Sequence, residues 1–317
     1  MHGLLLASQQ PSALELLLQH CLIGLTNGSL FALIALGYTM VYGIIGLINF
    51  AHGDLFMLGC FLALSILAAL GLETTAGMGA TGGGILLLVL LVPLFCGALN
   101  LGVDRFVYKP LRNAPKLAPL VSAIGVSFIF MNVGLLWGGA SDRHFPDLLP
   151  NDNLFGAAGI RFTIKDLIVV VTTVPLMIAL TVFVRYSKLG KAMRATQQDP
   201  LAARLMGINV DRVIGATFAI GGALAGAASI VYGLYINTVS FQMGFQNGLY
   251  AFTAAVLGGI GNIPGAVLGG LIIGLVRSLG SAYIGERWTS ALIFGILILI
   301  LVFRPEGLLG SRTQEKV

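Results

Sequence analysis

The sequence predicts an all-α polytopic membrane protein of about 8–9 transmembrane helices, some of them broken or re-entrant. Three observations carry this. Hydrophobic residues make up 57% of the chain and charged residues only 10%, against about 25% charged in soluble domains. Apolar runs of membrane-spanning length recur throughout. Glycine, at 43 of 317 residues, is about twice as frequent as usual, which suits helices packed closely in lipid.

The elements follow in order. A first span covers about residues 14–40, and a glycine-punctuated stretch, YGIIGLINFAHGD, separates it from a second at 55–70. A glycine-rich loop at 73–84 leads to a span at 85–103, a basic segment at 105–116, and a span at 118–137. The longest acidic loop, 138–166, follows, and its Pro, Asn and Asp residues mark turns. Spans at 167–184 and 213–235 flank a polar segment, RYSKLGKAMRATQQDPLAARLMGINVDR (185–212). A second glycine-interrupted polar stretch, 237–247, precedes two spans hinged at 258–265, and a last span runs over 288–303. Small-xxx-small pairs at Gly24/Gly28, Gly222/Gly226, Gly265/Gly269 and Gly270/Gly274 are candidate helix crossings.

Basic charge assigns the sides. Four positives lie in the 105–116 segment, six in 185–212 and three (Arg304, Arg312, Lys316) after the last span, thirteen of the eighteen in the chain. The positive-inside rule then places these segments in the cytoplasm, with the N-terminus outside, the C-terminus cytoplasmic, and nine crossings, or eight if one short span is re-entrant. The net charge of +5 is therefore topology. It lacks the interleaved aromatics of a nucleic-acid surface. Cys21, Cys60 and Cys96 lie in apolar runs without CxxC spacing, so core roles are expected, with no metal site or disulfide. The start, MHGLLLASQQPS, lacks a basic n-region, and no cleaved signal peptide is expected.

Chemistry concentrates in the two polar interruptions. Asn49, His52 and Asp54 lie within six residues of one another, and ionisable groups at membrane depth mark functional sites, here a proton relay or a polar-substrate site. The preferred reading is plainer: the turn reaches the cytoplasmic interface, Asp54 N-caps the second helix and His52 is hydrated. Asn237, Ser240, Gln242, Gln246 and Asn247 offer neutral donors and acceptors suited to a transient path. Tyr42-Gly43 and Tyr232-Gly233 precede the two interruptions in the same way, a hint of repeated halves with discontinuous helices along a translocation path. Arg277 is expected to snorkel to the outer interface. Catalytic and nucleotide motifs are missing: Gly190-Lys191 lacks the upstream glycine of a P-loop, Pro264 interrupts a dinucleotide fingerprint, and no HExxH or GxSxG occurs. The chain itself is expected to bind no cofactor.

Within 185–212, Asp199 is a good N-cap, Pro200 fits the first helical position and Gly207 is a stop, which predicts two short helices. Leu201, Ala202 and Leu205 fall on adjacent turns and present an apolar stripe to the cytosol, suited to docking in a partner's groove.

Four stretches, GYTMVYGIIGLINFAHGD (37–54), RYSKLGKAMRA (185–195), GINVDRV (207–213) and AFTAAVLGGIGNIPGAVLGG (251–270), closely resemble the LivH-type permease of bacterial branched-chain amino acid ABC importers, over nearly the whole chain. The resemblance implies a single transmembrane permease domain over 1–317 in the bacterial inner membrane, with a cytoplasmic coupling hairpin at 187–211 and an outer loop at 138–166. It also implies a second, LivM-type permease, two LivG- and LivF-type ATPases that bind ATP and Mg, and a periplasmic substrate-binding protein. Ala202-Ala203-Arg204-Leu205-Met206-Gly207 resembles the AAxxxG core of the importer coupling loop, although Leu201 replaces the acidic residue of the fuller motif and the downstream Leu-Pro is absent. Gly190, Lys191, Arg194, Leu201, Ala202, Ala203, Leu205 and Gly207 are thus the candidate contacts to the ATPases. Asn49, His52, Asp54, Asn237, Gln242, Gln246 and Asn247 are the candidate path. Branched-chain amino acids are the expected cargo, with urea or short amides as the alternative from close relatives. A rival of another class is a proton-coupled secondary transporter using His52 and Asp54.

Overall fold

Two long helices that begin at opposite ends of the bundle carry the fold. The computed structural model describes residues 12–72, 78–112, 114–115, 117–154 and 160–310, without the side chains of 78–81. The expectation about the N-terminal segment 1–11, part of the glycine-rich loop, and the charges Lys116, Arg312 and Lys316 lie outside the described residues. Helix α1 (Ala13–Ile45) opens on a capping box, in which Ser12 Oγ accepts from the Glu15 amide and Glu15 accepts from the Ser12 amide. It stops at Gly46, whose φ of 69° is left-handed. Then come α2 (Ala51–Ala69), α3 (Met78–Val103), a π-helical turn (Asp104–Tyr108) running into α4 (Lys109–Leu111), and α5 (Leu117–Gly138). A two-residue strand β1 (Arg143–His144), α6 (Ile164–Tyr186), α7 (Lys188–Gln198), α8 (Pro200–Leu205) and α9 (Val210–Ile236) follow. Strand β2 (Thr238–Val239), α10 (Met243–Gly258), α11 (Ile263–Tyr283) and α12 (Glu286–Phe303) complete the order.

Eight helices among the described residues are long and apolar enough to cross a membrane. The ninth expected span is α10, whose 16 residues give only about 24 Å at 1.5 Å per residue, short of the ~30 Å hydrocarbon core. The two ends of the bundle are each stitched by contacts distant in sequence. At one end Gly43 packs on Gly261, and the backbone at Leu308 and Leu309 donates to the Leu257 and Gly258 carbonyls at 2.9 and 3.0 Å. The α7–α8 hairpin lies at this end. At the other end Ser278 Oγ donates to the His20 carbonyl at 2.7 Å, Gln19 exchanges hydrogen bonds with the Arg161 backbone, and β1 pairs antiparallel with β2.

Small residues let these helices touch. A Cβ on Gly28 would lie 2.7 Å from the Leu271 Cα, and one on Gly274 only 2.2 Å from the Gly28 Cα, so α1 and α11 meet backbone to backbone. The other small pairs behave alike: Gly222 and Gly226 lie on Cys96 and Pro93 of α3, and Gly265 and Gly269 on Gly258 and Ala254 of α10. With little hydrophobic drive between helices in lipid, such close approach supplies the dispersion that holds them. Cys60 and Cys96 are buried in this core, Cys21 is half-buried, and all three are free thiols.

Candidate functional site

The break between α1 and α2 lies inside the bundle, where irregular backbone needs protein partners. Side chains supply them. The Tyr108 hydroxyl donates to the Ile48 carbonyl at 3.1 Å and lies 3.4 Å from Asn49 Oδ1, Asn49 Nδ2 donates to Asn100 Oδ1 at 3.1 Å, and Asn100 Nδ2 donates to the Phe218 carbonyl at 2.7 Å. The π turn aims Tyr108 inward, where it is buried. Asn49 therefore ties the break to α3 and α9.

His52 and Asp54 correct the interfacial reading. They are 1% and 0% exposed, and α2 begins on Phe50 with no side-chain cap, so Asp54 is not the N-cap and His52 is not hydrated. The physical reason is the depth at which α2 starts: His52 packs edge-on against Tyr38 at 4.6 Å, and Asp54 accepts from Ser127, halfway along α5. The second Asp54 oxygen has no partner, and the Ile34 carbonyl faces the imidazole without completing a well-formed hydrogen bond. A Cβ on Gly37 would collide with the imidazole, 2.3 Å from Nε2.

The second interruption mirrors the first. Helix α9 ends at Asn237 in the left-handed region (φ 55°), and α10 starts a few residues later, running opposite in direction to α2. The first turns of α2 and α10 meet through glycine: Gly53 lies on Gly244 and Gly248 at 2.4–2.7 Å from a would-be Cβ. Each half thus has a long helix, a short irregular segment and a helix that starts below the surface.

The seven path residues divide among different surroundings. Asn49, His52 and Asp54 are in the core. Asn237 accepts from Lys165 Nζ at 2.7 Å and donates to the Phe145 carbonyl at 3.1 Å, holding β1 and α6 at the end remote from the hairpin. Gln242 and Gln246 line a cavity of about 530 Å³ between α5 and α10, with Ser127, Phe128, Met131 and Phe245. Asn247 faces the other side of α10, donates to the Tyr232 hydroxyl at 3.2 Å and lines a second cavity of about 380 Å³ with Arg277. Arg277 is half-buried and turns its guanidinium toward the bundle rather than along its own helix. Its guanidinium carbon lies 5.5 Å from the Phe31 ring centroid and 5.0 Å from that of Tyr250, between two inward-facing aromatics. An isolated arginine in an apolar run carries no local sign of what its helix faces, which is why sequence reading missed it.

At the hairpin, Ser187 caps α7, and Asp199 accepts from the Leu201 and Ala202 amides at 2.9 and 3.0 Å to cap α8 with Pro200 in its first turn. Gly207, at φ 83°, ends the hairpin's helices. Gly190 and Ala203 face inward; a Cβ on Gly190 would lie 2.4 Å from the Val184 carbonyl oxygen. Arg194 donates to the Arg185 carbonyl at 3.0 Å, while Lys191 is exposed. Leu201, Leu205 and Met206 are 68, 82 and 83% exposed. An ion network joins the hairpin's exit to the π turn: Arg112 bridges Asp104 (2.7 Å) and Asp211 (2.5 Å), and Lys109 adds a contact to Asp211 at 3.0 Å.

A helical bundle with two discontinuous helices meeting at its centre, flanked by cavities and carrying an apolar-tipped hairpin at one end, defines a multi-pass membrane permease. The family model described as branched-chain amino acid transport system / permease component matches residues 21–302, and the chain belongs to that family. It is 42% identical over 306 residues to the high-affinity branched-chain amino acid transport system permease protein BraD of Pseudomonas aeruginosa PAO1, covering 95% of this chain and 98% of that protein. LivH of Escherichia coli K12 is also 42% identical, over 95% of this chain and 97% of its own. LivM of the same strain is 25% identical over 91% of this chain and 70% of its own. No solved structure matches the chain. The protein is a transport subunit of the inner membrane.

Proposed function

We propose that the chain is a permease subunit of an ABC importer for the branched-chain amino acids leucine, isoleucine and valine, inserted with the hairpin end in the cytoplasm and the Ser12 end outside. It binds no nucleotide itself. ATP and Mg belong to two LivG- and LivF-type ATPases, a LivM-type permease completes the pathway, and a periplasmic binding protein delivers cargo. The names of the relatives support the cargo, since BraD and LivH are branched-chain amino acid permeases.

The observation that carries the coupling reading is the row Leu201, Leu205 and Met206, exposed on a hairpin whose inner side is packed and capped. So many apolar side chains outside the apolar bundle, on an ordered support, suit a partner's groove. The route inward is continuous. Arg194 and Gly190 fix α7 on the end of α6, Asp211 fixes the start of α9 to the π turn, and α9 reaches α10 through Tyr232 and Asn247. Movement of the hairpin by the ATPases then rotates α9 and shifts α10 against α2 at the Gly53–Gly244 seam, opening the cavities beside α10 in turn.

Leu205→Glu tests this. Leu205 touches little of its own chain, so the variant assembles in the membrane while the ATPases no longer co-purify and leucine uptake into proteoliposomes is lost. Full ATPase recovery with normal uptake would end the proposal. Ala203→Glu tests a different thing, because Ala203 is buried and a charge there disrupts the hairpin itself.

A further inference from the structure

Resting on the import function just proposed, we infer that the 380 Å³ cavity at the Ser12 end is a carboxylate-binding site, in which Arg277 receives the α-carboxylate of an aliphatic amino acid. Four helices build it: His20, Asn27 and Phe31 on α1, Tyr232 on α9, Asn247 on α10, and Arg277 on α11, with Glu286 at the start of α12. Cavities of this size suit small molecules. Arg277 stands six residues before the end of α11, half-buried against neighbouring helices, and an arginine within a span is costly unless a counter-charge or ligand repays it.

The described residues offer it no hydrogen bond and no ion pair. Its ring contacts are with Phe31 and Tyr250, 5.5 and 5.0 Å from the guanidinium carbon to the ring centroids, which leave its N–H donors available to a ligand. Those donors match a carboxylate in bidentate geometry and have no comparable match in a neutral amide. Tyr232 uses its hydroxyl oxygen to accept from Asn247, so the Tyr232 O–H remains a donor on the same cavity. Ile23, Leu30 and Ile236 supply apolar wall for a branched side chain. Glu286, held by Ser281 at 2.5 Å, places a carboxylate at the exposed rim, where an ammonium group would meet it. One positive edge inside, one negative group at the mouth and an apolar wall between are the complement of a zwitterionic aliphatic amino acid. Urea and short amides lack the group Arg277 is built to meet.

The assembled transporter, purified with its ATPases and trapped with vanadate in the absence of binding protein, is the material for the test. Radiolabelled leucine binding is measured for wild type, Arg277→Gln and Arg277→Lys, with isovalerate (carboxylate, no ammonium) and leucinamide (ammonium, no carboxylate) as competitors. The expected result is at least about tenfold weaker leucine binding for Arg277→Gln, an intermediate value for Arg277→Lys, and isovalerate competing better than leucinamide only where residue 277 is cationic. Co-purification of the ATPases in wild-type stoichiometry with all three shows that the complexes are assembled. Arg277→Gln binding leucine as wild type does, or no leucine binding by a wild-type complex that imports leucine, overturns the inference and leaves the import function standing. A wild-type complex that imports no leucine with its binding protein removes the import function itself and the cargo assignment with it.

Discussion

Arg112 and Asp211, ninety-nine residues apart in the chain, lie 2.5 Å from each other and join the π turn after α3 to the first turn of α9. Arg112 also holds Asp104, and its side chain is only 15% exposed, so this is a partly buried network. Removing Asp211 strips Arg112 of one of two counter-charges and releases the first turn of the hairpin's exit helix from the π turn. Asp211→Ala is expected to leave ATPase recruitment intact and to lower leucine transported per ATP hydrolysed by roughly tenfold, a ratio measured in proteoliposomes, consistent with about 1.5–3 kcal/mol for a hydrogen bond to a charged group.

The α1–α11 contact gives a stability prediction. Gly274→Val adds a branched side chain where a single Cβ would already lie 2.2 Å from the Gly28 Cα. The helices must separate, because the opposing atoms are backbone. Thermal unfolding in detergent should show a loss beyond the 1–3 kcal/mol typical of overpacking (about that range for side-chain neighbours). Gly102→Ala, with open space around it, serves as the tolerated control.

Asp54 distinguishes ATP-driven from proton-driven transport. It is fully buried against Ser127, and an amide of the same shape fits the same space. Asp54→Asn is expected to keep leucine uptake that depends on ATP and is indifferent to an imposed proton gradient. Uptake by the chain alone, driven by that gradient and abolished by the substitution, would favour a proton relay through His52 and Asp54.

Lys165 staples the end remote from the hairpin. Its ammonium bonds Asp147 at 2.6 Å and Asn237 at 2.7 Å, with the side chain 6% exposed. Lys165→Met should destabilise the fold by about 1–3 kcal/mol in urea unfolding in detergent micelles. Asp147 is 63% exposed, so it rehydrates and adds little to the loss.

Much of this architecture was legible because it is written locally. The cap at Asp199, the stop at Gly207 and the small-residue crossings depend on neighbours three or four residues away, and the structure has them as the sequence implies. Eight of nine spans were readable from apolar length, and α10 fell short because its first turn is displaced into the bundle by the 237–242 segment. Depth was not legible. The polarity of Asn49, His52 and Asp54 looks the same at an interface or at half-depth, and only Asn100, Tyr108 and Ser127, contributed by other helices, decide between them. Arg277 was opaque for the same reason, since its surroundings come from α1, α9 and α10. The ion network escaped because counting Arg112 only as a topology charge discards its pairing with Asp211.

The glycine seam between α2 and α10 has an electrical consequence. Both helices present their N-termini there, and each carries roughly half a positive charge from its aligned peptide dipoles. Two such ends converging at half-depth raise the local potential, which Asp54, if ionised, offsets. Sodium, potassium and hydronium ions would meet this field where the bilayer is least forgiving of charge. A zwitterion, which is neutral overall, meets far less of it, so the seam favours a permease that resists ion leak while its cargo passes.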